Sequence, residues 1–301
     1  MNVGVIGGSG FIGSHVVDKL VDAGHNVTVF DIMKPHRNDV QHKYIDITDL
    51  TNTTVALAGD YEAIYLLAAM ADVNDCFKNP VATIQVNVLG VANVLEACVK
   101  NDINRLIFSS TVWVYSYADE VEVSEDTALN INKKEHIYTS SKLAAENLIQ
   151  SYSELYDQDF TILRYGIPYG PRARGGTVLP IFVRLASEGK PLTIQGDGSA
   201  HRKFIYVEDI ARANALAISD EACNEVINLE GPRNISVKEV ADIVNELFSG
   251  KVEINYVDAR PGDYKGKEVS NSRAKKLLNW VPEVDFAEGA KNYYEWYKEN
   301  A

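Results

Sequence analysis

The sequence predicts an α/β fold, a doubly wound parallel sheet followed by a smaller C-terminal α/β lobe. In the first half of the 301-residue chain, apolar runs of strand length alternate with stretches of helical periodicity, a pattern typical of parallel sheets covered by helices on both faces. The runs lie near residues 2–7, 26–31, 62–67, 104–110 and 159–165. Glycines and prolines crowd together after Gly166, so we expect one domain over residues 1–166 and the lobe over residues 167–301.

The first apolar run leads into a glycine-rich loop. After the run the chain reads GGSGFIG over residues 7–13 and continues as an amphipathic stretch to Ala23. A strand that turns sharply into a helix, and lets a pyrophosphate touch backbone N–H groups, needs residues without side chains at the turn. Such a loop on its own could be a plain structural turn, but the strand and helix around it favour a dinucleotide site.

The second apolar run ends at Asp31, where a carboxylate can accept hydrogen bonds from the hydroxyls of an adenosine ribose. Together with the loop, this acid predicts that the cofactor is NAD. Lys34, His36 and Arg37 follow closely and leave NADP as the alternative, although Asp31 would repel a ribose phosphate. The residues predicted to bind the cofactor here are Gly7, Gly10, Phe11, Ile12, Gly13 and Asp31.

Two predicted helices carry more than one apolar stripe. From Val81 to Cys98 apolar residues recur at spacings of three and four, and others cover a second side. The helix near residues 138–156 has the same character. One face of each helix can pack on the sheet and the other on a second copy of the chain, so we expect a homodimer. A monomer in which both stripes face one core is equally compatible with the pattern.

Composition narrows the range of partners. The 42 acidic residues outnumber the 29 basic ones and give a net charge of -13, so we expect no nucleic acid partner. Cys76, Cys98 and Cys223 are few and far apart, which favours reduced thiols and no metal site. The first residues already form a predicted strand, and no apolar run approaches bilayer length. We therefore expect no membrane partner and a cytoplasmic location.

A tyrosine and a lysine open the helix near residue 138. Tyr138 and Lys142 are four residues apart and so share one helical face. A phenol has an ordinary pKa of about 10, and we expect the ammonium and a positively charged nicotinamide ring to lower it. Thr111 ends an earlier strand and offers a hydroxyl to the same substrate oxygen. We predict that Thr111, Tyr138 and Lys142 form the catalytic group.

Taken jointly, these motifs resemble the extended short-chain dehydrogenases/reductases, and within them the NAD-dependent epimerase/dehydratase family, over nearly the whole chain. The resemblance implies a Rossmann-type fold in which Tyr138 removes a proton from a sugar hydroxyl while the adjacent carbon passes hydride to NAD. It also implies that Thr111 steadies the oxygen and that Lys142 binds the nicotinamide ribose. Further positions that match the family's cofactor site are Asp46, Ile47, Leu67, Ala68, Ala69 and Asn87.

The substrate implied by the resemblance is a nucleotide sugar, with a UDP-hexose inverted at carbon 4 as the first choice. Arg202 and Arg260 stand in motifs that bind the substrate diphosphate in the family, although surface ion pairs are the ordinary role of an arginine. Ile167 replaces a usual asparagine at the diphosphate, and we expect Arg172 or Arg174 to compensate.

Other departures leave alternatives open. Val112 and Trp113 stand where sugar dehydratases of the family carry an acidic pair, which favours epimerisation and leaves dehydration as the rival. A non-catalytic NAD-binding regulator is disfavoured, because such proteins usually lose the tyrosine or the lysine. Lys267 could favour an acidic sugar, but we prefer a solvated surface lysine. We also expect the strand and helix near residues 203–219 to return to the first domain.

Overall fold

The computed structural model describes residues 1–131, 136–258 and 267–301. Its strands are β1 (Asn2–Ile6), β2 (Asn26–Phe30), β3 (Gln41–Lys43), β4 (Ala63–Leu66), β5 (Arg105–Thr111), β6 (Glu122–Val123), β7 (Asp159–Tyr165), β8 (Ile167–Tyr169), β9 (Leu192–Gln195), β10 (His201–Tyr206), β11 (Glu225–Leu229), β12 (Asn234–Ser236), β13 (Ile254–Val257) and β14 (Glu268–Val269). Seven of them form one parallel sheet in the order β3-β2-β1-β4-β5-β7-β11. The predicted α/β class with a doubly wound parallel sheet is therefore confirmed.

Helices connect the strands. They are α1 (Phe11–Asp22), α2 (Leu50–Ala56), α3 (Val73–Lys78), α4 (Pro80–Ile84), α5 (Gly90–Lys100), α6 (Ile137–Tyr156), α7 (Val178–Ser187), α8 (Val207–Leu216), α9 (Val237–Leu247), α10 (Ser272–Leu278) and α11 (Phe286–Asn300). A π-helical turn, Gln85–Leu89, joins α4 to α5, and 3₁₀ turns cover Val112–Tyr115 and Asp220–Ala222. The sequence pattern merged α4, the π-helical turn and α5 into one helix because all three share the same apolar spacing.

Both faces of the large sheet are buried. Side chains alternate between the faces along each strand, so Val5 and Ile6 of β1 join different apolar clusters. Val17 of α1 packs in the first cluster together with residues of α8. Val94 of α5 and Ile149 of α6 pack in the second. Fully burying one such aliphatic side chain contributes roughly 1.5–3 kcal/mol. Because helices cover both faces of the sheet, its carboxyl edge is held in place, and the loops of the candidate site begin at that edge.

The C-terminal lobe has its own core and its own small sheets. β8, β10 and β12 form one sheet, β9 and β13 a second, and α7, α9 and α11 contribute residues to the core between them. Tyr169, Phe204 and Phe286 form the aromatic centre of this core, with the ring centroids of Phe286 lying 4.7 Å from Tyr169 and 5.1 Å from Phe204. Such pairs stabilise beyond their buried area.

The prediction that the strand near residue 203 returns to the first domain is wrong. The apolar run at 203–207 lies in β10, which pairs with β8 and β12 of the lobe rather than with the large sheet. The strand that does return is β11, which pairs in parallel with β7. The helix α8, which follows β10, packs against α1. An apolar run predicts a buried strand but carries no information about which sheet edge receives it.

One helical stretch, Pro80–Lys100, is long and apolar enough to cross a membrane by length and composition alone. The prediction that no apolar run approaches this length is therefore wrong. Half of the stretch is buried inside the protein, and its Asn87 and Asn93 are buried and hydrogen-bonded. A helix in the core of a protein can be equally long and apolar. Buried, hydrogen-bonded asparagines are typical of such a core helix.

Candidate active site

The predicted cofactor and catalytic residues gather at the carboxyl edge of the large sheet. Gly7 follows β1, Asp31 follows β2, Leu67 follows β4, and Thr111 closes β5. Because all seven strands run parallel, their carboxyl ends meet at one edge, and ligands of open α/β sheets bind there. The strands β1 and β4 are neighbours in the sheet. The chain continues from β1 into α1 and from β4 into α3, and a crevice forms where the connections of two neighbouring strands diverge.

The glycine loop is shaped for close approach of a phosphate. Gly7 has a φ of 85°, which favours glycine, and its N–H donates to the Phe30 carbonyl oxygen at 2.8 Å. A side chain at Gly13 would collide with the Gly7 carbonyl. Phe11 and Ile12 open α1 and are partly buried. The loop therefore presents the N-terminus of α1 on bare backbone, and it fits the pyrophosphate of a dinucleotide.

Asp31 is held in position by the same loop. Its carboxylate accepts hydrogen bonds from the Ser9 N–H at 2.9 Å and the Met33 N–H at 3.0 Å. Arg37, a candidate for binding a ribose phosphate, is instead paired with Asp39 at 2.7 Å and Asp18 at 3.2 Å. A fixed carboxylate next to an engaged arginine suits the free ribose hydroxyls of NAD better than the phosphate of NADP.

Asp46 and Ile47, which match the family's adenine contacts, lie in a loop fixed by side chains. The Asp46 carboxylate accepts hydrogen bonds from the backbone N–H and the hydroxyl of Thr48 at 3.0 and 2.7 Å. The Ile47 carbonyl accepts one from the Asn93 side chain at 2.8 Å. The sequence analysis missed Asn93, although a polar residue within an apolar helical stripe is the kind of signal that could have found it.

Asn87 connects the segment after β4 to α6, the helix that begins near Tyr138. It lies in the π-helical turn, is 1% exposed, and exchanges hydrogen bonds with the Met70 backbone at 2.8 and 2.9 Å. Its amide also donates to the Ser141 hydroxyl of α6 at 3.0 Å. Leu67 and Ala68 both donate their N–H groups to the Ile6 carbonyl, which holds the strand end next to β1. The segment that starts with Leu67, Ala68 and Ala69 is thus fixed at both ends.

Thr111, Tyr138 and Lys142 come together as predicted at the ends of β5 and the start of α6. The Thr111 hydroxyl lies close enough to the Tyr138 phenol that it acts to lower the pKa of that phenol. The Lys142 ammonium donates to the Ser109 carbonyl at 2.7 Å and lies 4.6 Å from the centre of the Phe108 ring. The hydroxyl, the phenol and the ammonium can therefore act on one substrate oxygen and one ribose.

The expected pKa of Tyr138 is wrong for the protein on its own. Burial raises the pKa of the phenol above its ordinary value, and the Thr111 hydroxyl opposes that effect only in part. Burial also lowers the pKa of Lys142 to about 8, while the nearby Glu146 carboxylate raises it. The lowering that the sequence analysis expects from a bound nicotinamide ring stays a prediction.

A buried ion pair beneath the catalytic helix was missed by the sequence analysis. Glu146 follows Lys142 by one helical turn and pairs with Arg164 of β7 at 2.6 Å, with both side chains at most 5% exposed. The same carboxylate accepts a hydrogen bond from the Ser110 hydroxyl at 2.5 Å, and Arg164 donates to the Tyr115 hydroxyl at 2.6 Å. The spacing of four from Lys142 was the available signal for Glu146.

A cleft opens between the large sheet and the C-terminal lobe beside Val112 and Trp113. The residues that line it are Val112, Trp113, Ile167, His201, Arg202, Lys203, Glu230, Asn234, Lys267 and Val269. Lys203 pairs with Glu268 at 2.6 Å. Lys267 donates to the carbonyls of Ala118 at 2.7 Å and Glu120 at 2.8 Å. The interpretation of Lys267 as a solvated surface lysine is therefore wrong, because it is half-buried and ties down a loop.

The three predicted diphosphate arginines have different outcomes. Arg202 lines the cleft, where a guanidinium can reach a bound diphosphate. Arg172 has a φ of 63° and pairs with Asp18 of α1 at 2.8 Å, so this placement does not support a diphosphate contact. Arg260 lies outside the described residues.

Comparison with known proteins agrees with this geometry. A family model described as the NAD dependent epimerase/dehydratase family matches residues 3–229. A putative UDP-glucose 4-epimerase of Methanocaldococcus jannaschii is 33% identical over 98% of both chains. The structure of UDP-glucose 4-epimerase from Thermotoga maritima with UDP-glucose has a TM-score of 0.91 at 30% identity and covers 99% of both chains. UDP-glucuronic acid 4-epimerase from Bacillus cereus, in complex with UDP-glucuronic acid and NAD, has a TM-score of 0.89 at 28% identity over 99% of both chains. The chain belongs to the NAD-dependent epimerase/dehydratase family.

Proposed function

We propose that this chain is an NAD-dependent UDP-sugar 4-epimerase, an isomerase that inverts carbon 4 of a UDP-hexose. The observation that carries the proposal is that Thr111 closes β5 while Tyr138 and Lys142 open α6, whose Lys142 ammonium donates to the Ser109 carbonyl of β5, at the sheet edge that carries the glycine loop. The relatives support the substrate, because both solved structures described above contain a UDP-sugar.

The residues present account for each proton movement. The chemistry that bound NAD supplies is reversible hydride transfer at the sugar carbon. Tyr138 takes the proton of the carbon 4 hydroxyl as that carbon is oxidised, and Thr111 holds the same oxygen by a hydrogen bond. The resulting 4-keto sugar rotates in the cleft and presents its opposite face. As carbon 4 is reduced on that face, Tyr138 returns the proton to the carbon 4 oxygen. The product is an isomer of the substrate, so no external reductant is consumed.

The cleft favours epimerisation over dehydration. Elimination of water needs an acid and a base next to the sugar, and the positions after Thr111 carry Val112 and Trp113, neither of which transfers protons. Both side chains line the cleft. A dehydratase that takes its acid from elsewhere is the competing function, and it predicts a product lighter than the substrate by one water.

We infer that Arg202 binds the diphosphate of the substrate. It lies in the cleft opposite Trp113 and Ile167, and the apolar Ile167 leaves the phosphate charge to the guanidinium. Arg260 stays a second candidate from its motif.

A homodimer is part of the proposal. Phe77, Val81 and Leu155 are 81%, 71% and 72% exposed, and they lie on α3, α4 and α6, which pack side by side. Exposed large apolar side chains on neighbouring helices support an interface between subunits.

We also propose a cytoplasmic location, with neither nucleic acid nor a membrane as partner. The net charge of -13 opposes binding to anionic polymers and anionic lipid surfaces. Cys76, Cys98 and Cys223 are free thiols, as is usual in a reducing compartment.

The test is a substrate panel without added reductant. Purified protein is incubated with UDP-glucose, UDP-galactose, UDP-N-acetylglucosamine and UDP-glucuronate, and inversion at carbon 4 is followed by proton NMR. We expect an isomeric product with at least one of them, and loss of water would replace the proposed reaction by dehydration. The control is Tyr138→Phe, which should lower kcat at least 10³-fold, at or above the middle of the range for a general base, while NAD binding is retained. Retained turnover in this variant would remove Tyr138 from its assigned role.

A further inference from the structure

A buried carboxylate that the proposed mechanism does not use lines the cleft. Glu230 directly follows β11, is 5% exposed, and shares the cleft with Trp113, Ile167 and Arg202. Glutamate is almost never fully buried without a charged partner, so this position calls for an explanation. Among the described residues Glu230 forms no ion pair within 4 Å.

Strand register places Glu230 close to the catalytic group. Thr111 of β5 is the register partner of Tyr165 of β7, and Tyr165 is the register partner of Leu229 of β11. Neighbouring strands lie about 4.8 Å apart, so Leu229 is about 10 Å from Thr111 along the carboxyl edge of the sheet. Glu230 is the next residue. A hexose held by Thr111 and Tyr138 within this cleft therefore has Glu230 as a near neighbour.

The fold makes room for this carboxylate. A side chain at Gly166 would collide with the Glu230 Oε1 atom, so the absence of a side chain there is what lets the carboxylate lie over the end of β7. Oε1 accepts a hydrogen bond from the Gly231 N–H at 3.0 Å. Among the described residues this is the hydrogen bond that the Glu230 carboxylate accepts, and a carboxylate has capacity to accept several more.

The two lysines that line the cleft are engaged with other groups. Lys203 pairs with Glu268 at 2.6 Å, and Lys267 donates to two backbone carbonyls. Burial raises the pKa of Glu230 to about 7, the hydrogen bond from Gly231 and the charge of Lys203 lower it, and the charge of Glu268 raises it. These groups leave the carboxylate with unused acceptor capacity and without a dedicated cation.

We propose that Glu230 selects the sugar: it accepts a hydrogen bond from a hydroxyl of a neutral UDP-hexose and disfavours a UDP-hexuronate. This inference rests on the proposed 4-epimerase function. Above pH 7 Glu230 is ionised, and two carboxylates in a cleft of low polarity then repel each other, whereas a sugar hydroxyl supplies a further donor, so the substrates are compared at pH 8.

The test compares two substrates in three proteins. The ratio of kcat/KM for UDP-glucose to that for UDP-glucuronate is measured for the wild type, for Glu230→Gln and for Glu225→Gln. Glu225 begins the same strand at the opposite edge of the sheet, so its variant makes the same charge change away from the cleft. We expect the wild type to prefer UDP-glucose and Glu230→Gln to reduce the ratio at least 10-fold, with no more than a 2-fold change in Glu225→Gln.

Several results would overturn the selection. These are a wild type that prefers UDP-glucuronate, a ratio that Glu230→Gln leaves unchanged, and equal changes in both variants. If Glu230→Gln does not fold, the inhibition constants of the two nucleotide sugars on the wild type decide the question, and UDP-glucuronate must bind at least 10-fold more weakly. If the wild type inverts no UDP-hexose at all, the proposed function fails. If it inverts both sugars equally well, only the selection by Glu230 fails.

Discussion

Only some of the contacts that hold the Lys142 ammonium can be predicted from its position in the sequence. It donates to the Ser109 carbonyl, lies over the Phe108 ring, and precedes Glu146 by one helical turn. Tyr138 and Lys142 could be predicted from sequence because a spacing of four brings two residues to one helical face. The effect of burial on their pKa values could not, since it depends on residues from β5 that the helix meets only in the folded chain.

Arg164 and Glu230 show the same limit more sharply. Charged side chains are usually exposed, so nothing local in the sequence marks these two as buried. Arg164 finds its partner on α6, and Glu230 finds its space above Gly166. Both features arise from contacts between distant parts of the chain.

The first prediction concerns the buried pair under the catalytic helix. Glu146→Gln leaves the Arg164 guanidinium buried without a carboxylate, and breaking a buried pair in this way costs about 3–5 kcal/mol. We expect the free energy of unfolding in urea to fall by about 3 kcal/mol. As a control, Asp242→Asn breaks an exposed pair with Lys238, and exposed pairs are worth about 0–1 kcal/mol. Equal losses in the two variants would contradict a special role for the buried pair.

The second prediction concerns the pH dependence of stability. A carboxyl has an ordinary pKa of 4.5 here, and Glu230 is raised to about 7 in the folded protein. Between these values the unfolded chain loses the proton and the folded chain keeps it, so this group makes the protein less stable as pH rises. From pH 5.5 to pH 8 the loss is about 2 kcal/mol at 1.36 kcal/mol per pKa unit.

Glu230→Gln lacks the titrating carboxyl and provides the comparison. Unfolding in urea at the two pH values measures the difference, and the variant should lose about 2 kcal/mol less than the wild type over this interval. Parallel pH profiles of the two proteins would show that Glu230 does not titrate in this range.

At the scale of elements, the β1–α1 unit is the part of the fold that the sequence specifies best. The loop between them has a local cause, because the Gly7 backbone angle and the closeness of Gly13 to the Gly7 carbonyl both exclude side chains. The sheet edge taken by β10 has no local cause. In the structure β10 pairs with β8, and β11 takes the place beside β7.

The third prediction tests this unit. Gly13→Ala places a methyl group against the Gly7 carbonyl and must push the loop away from α1, so we expect the affinity for NAD to fall at least 10-fold. Binding is measured by fluorescence titration. Gly175→Ala is the matched control, because a methyl group there meets nothing within 4 Å. Unchanged NAD affinity in Gly13→Ala would show that the loop adapts to the methyl group.

At the scale of the whole molecule, the exposed apolar surface on α3, α4 and α6 is the feature without an internal partner. The sequence analysis left open whether the second stripes of the stretch from Val81 to Cys98 and of α6 face the core or another subunit. Phe77, Val81 and Leu155 are largely exposed, while Ile149 of the same α6 is buried. Leu148 and Tyr152 of α6 also pack against the core, so the exposed part of this helix lies at its C-terminal end.

The fourth prediction is that this surface joins two chains. We expect the wild type to sediment as a dimer at micromolar concentration and Leu155→Glu to sediment as a monomer, because burying a carboxylate without a partner is strongly unfavourable. Val55→Glu is the control, since Val55 is 70% exposed on α2 and lies on a different helix. A wild type that sediments as a monomer would refute the homodimer.

The path of the chain through α8 and β11 also limits how this protein can be divided. Cutting the chain at residue 166 removes the strand that covers the outer edge of β7 and the helix that covers one side of α1. An isolated N-terminal fragment would expose an unpaired strand edge and an apolar helix face, and fragments of that kind associate with one another. The dinucleotide-binding half is thus not an independent module, and its maturation during synthesis has to wait until residue 229 has emerged.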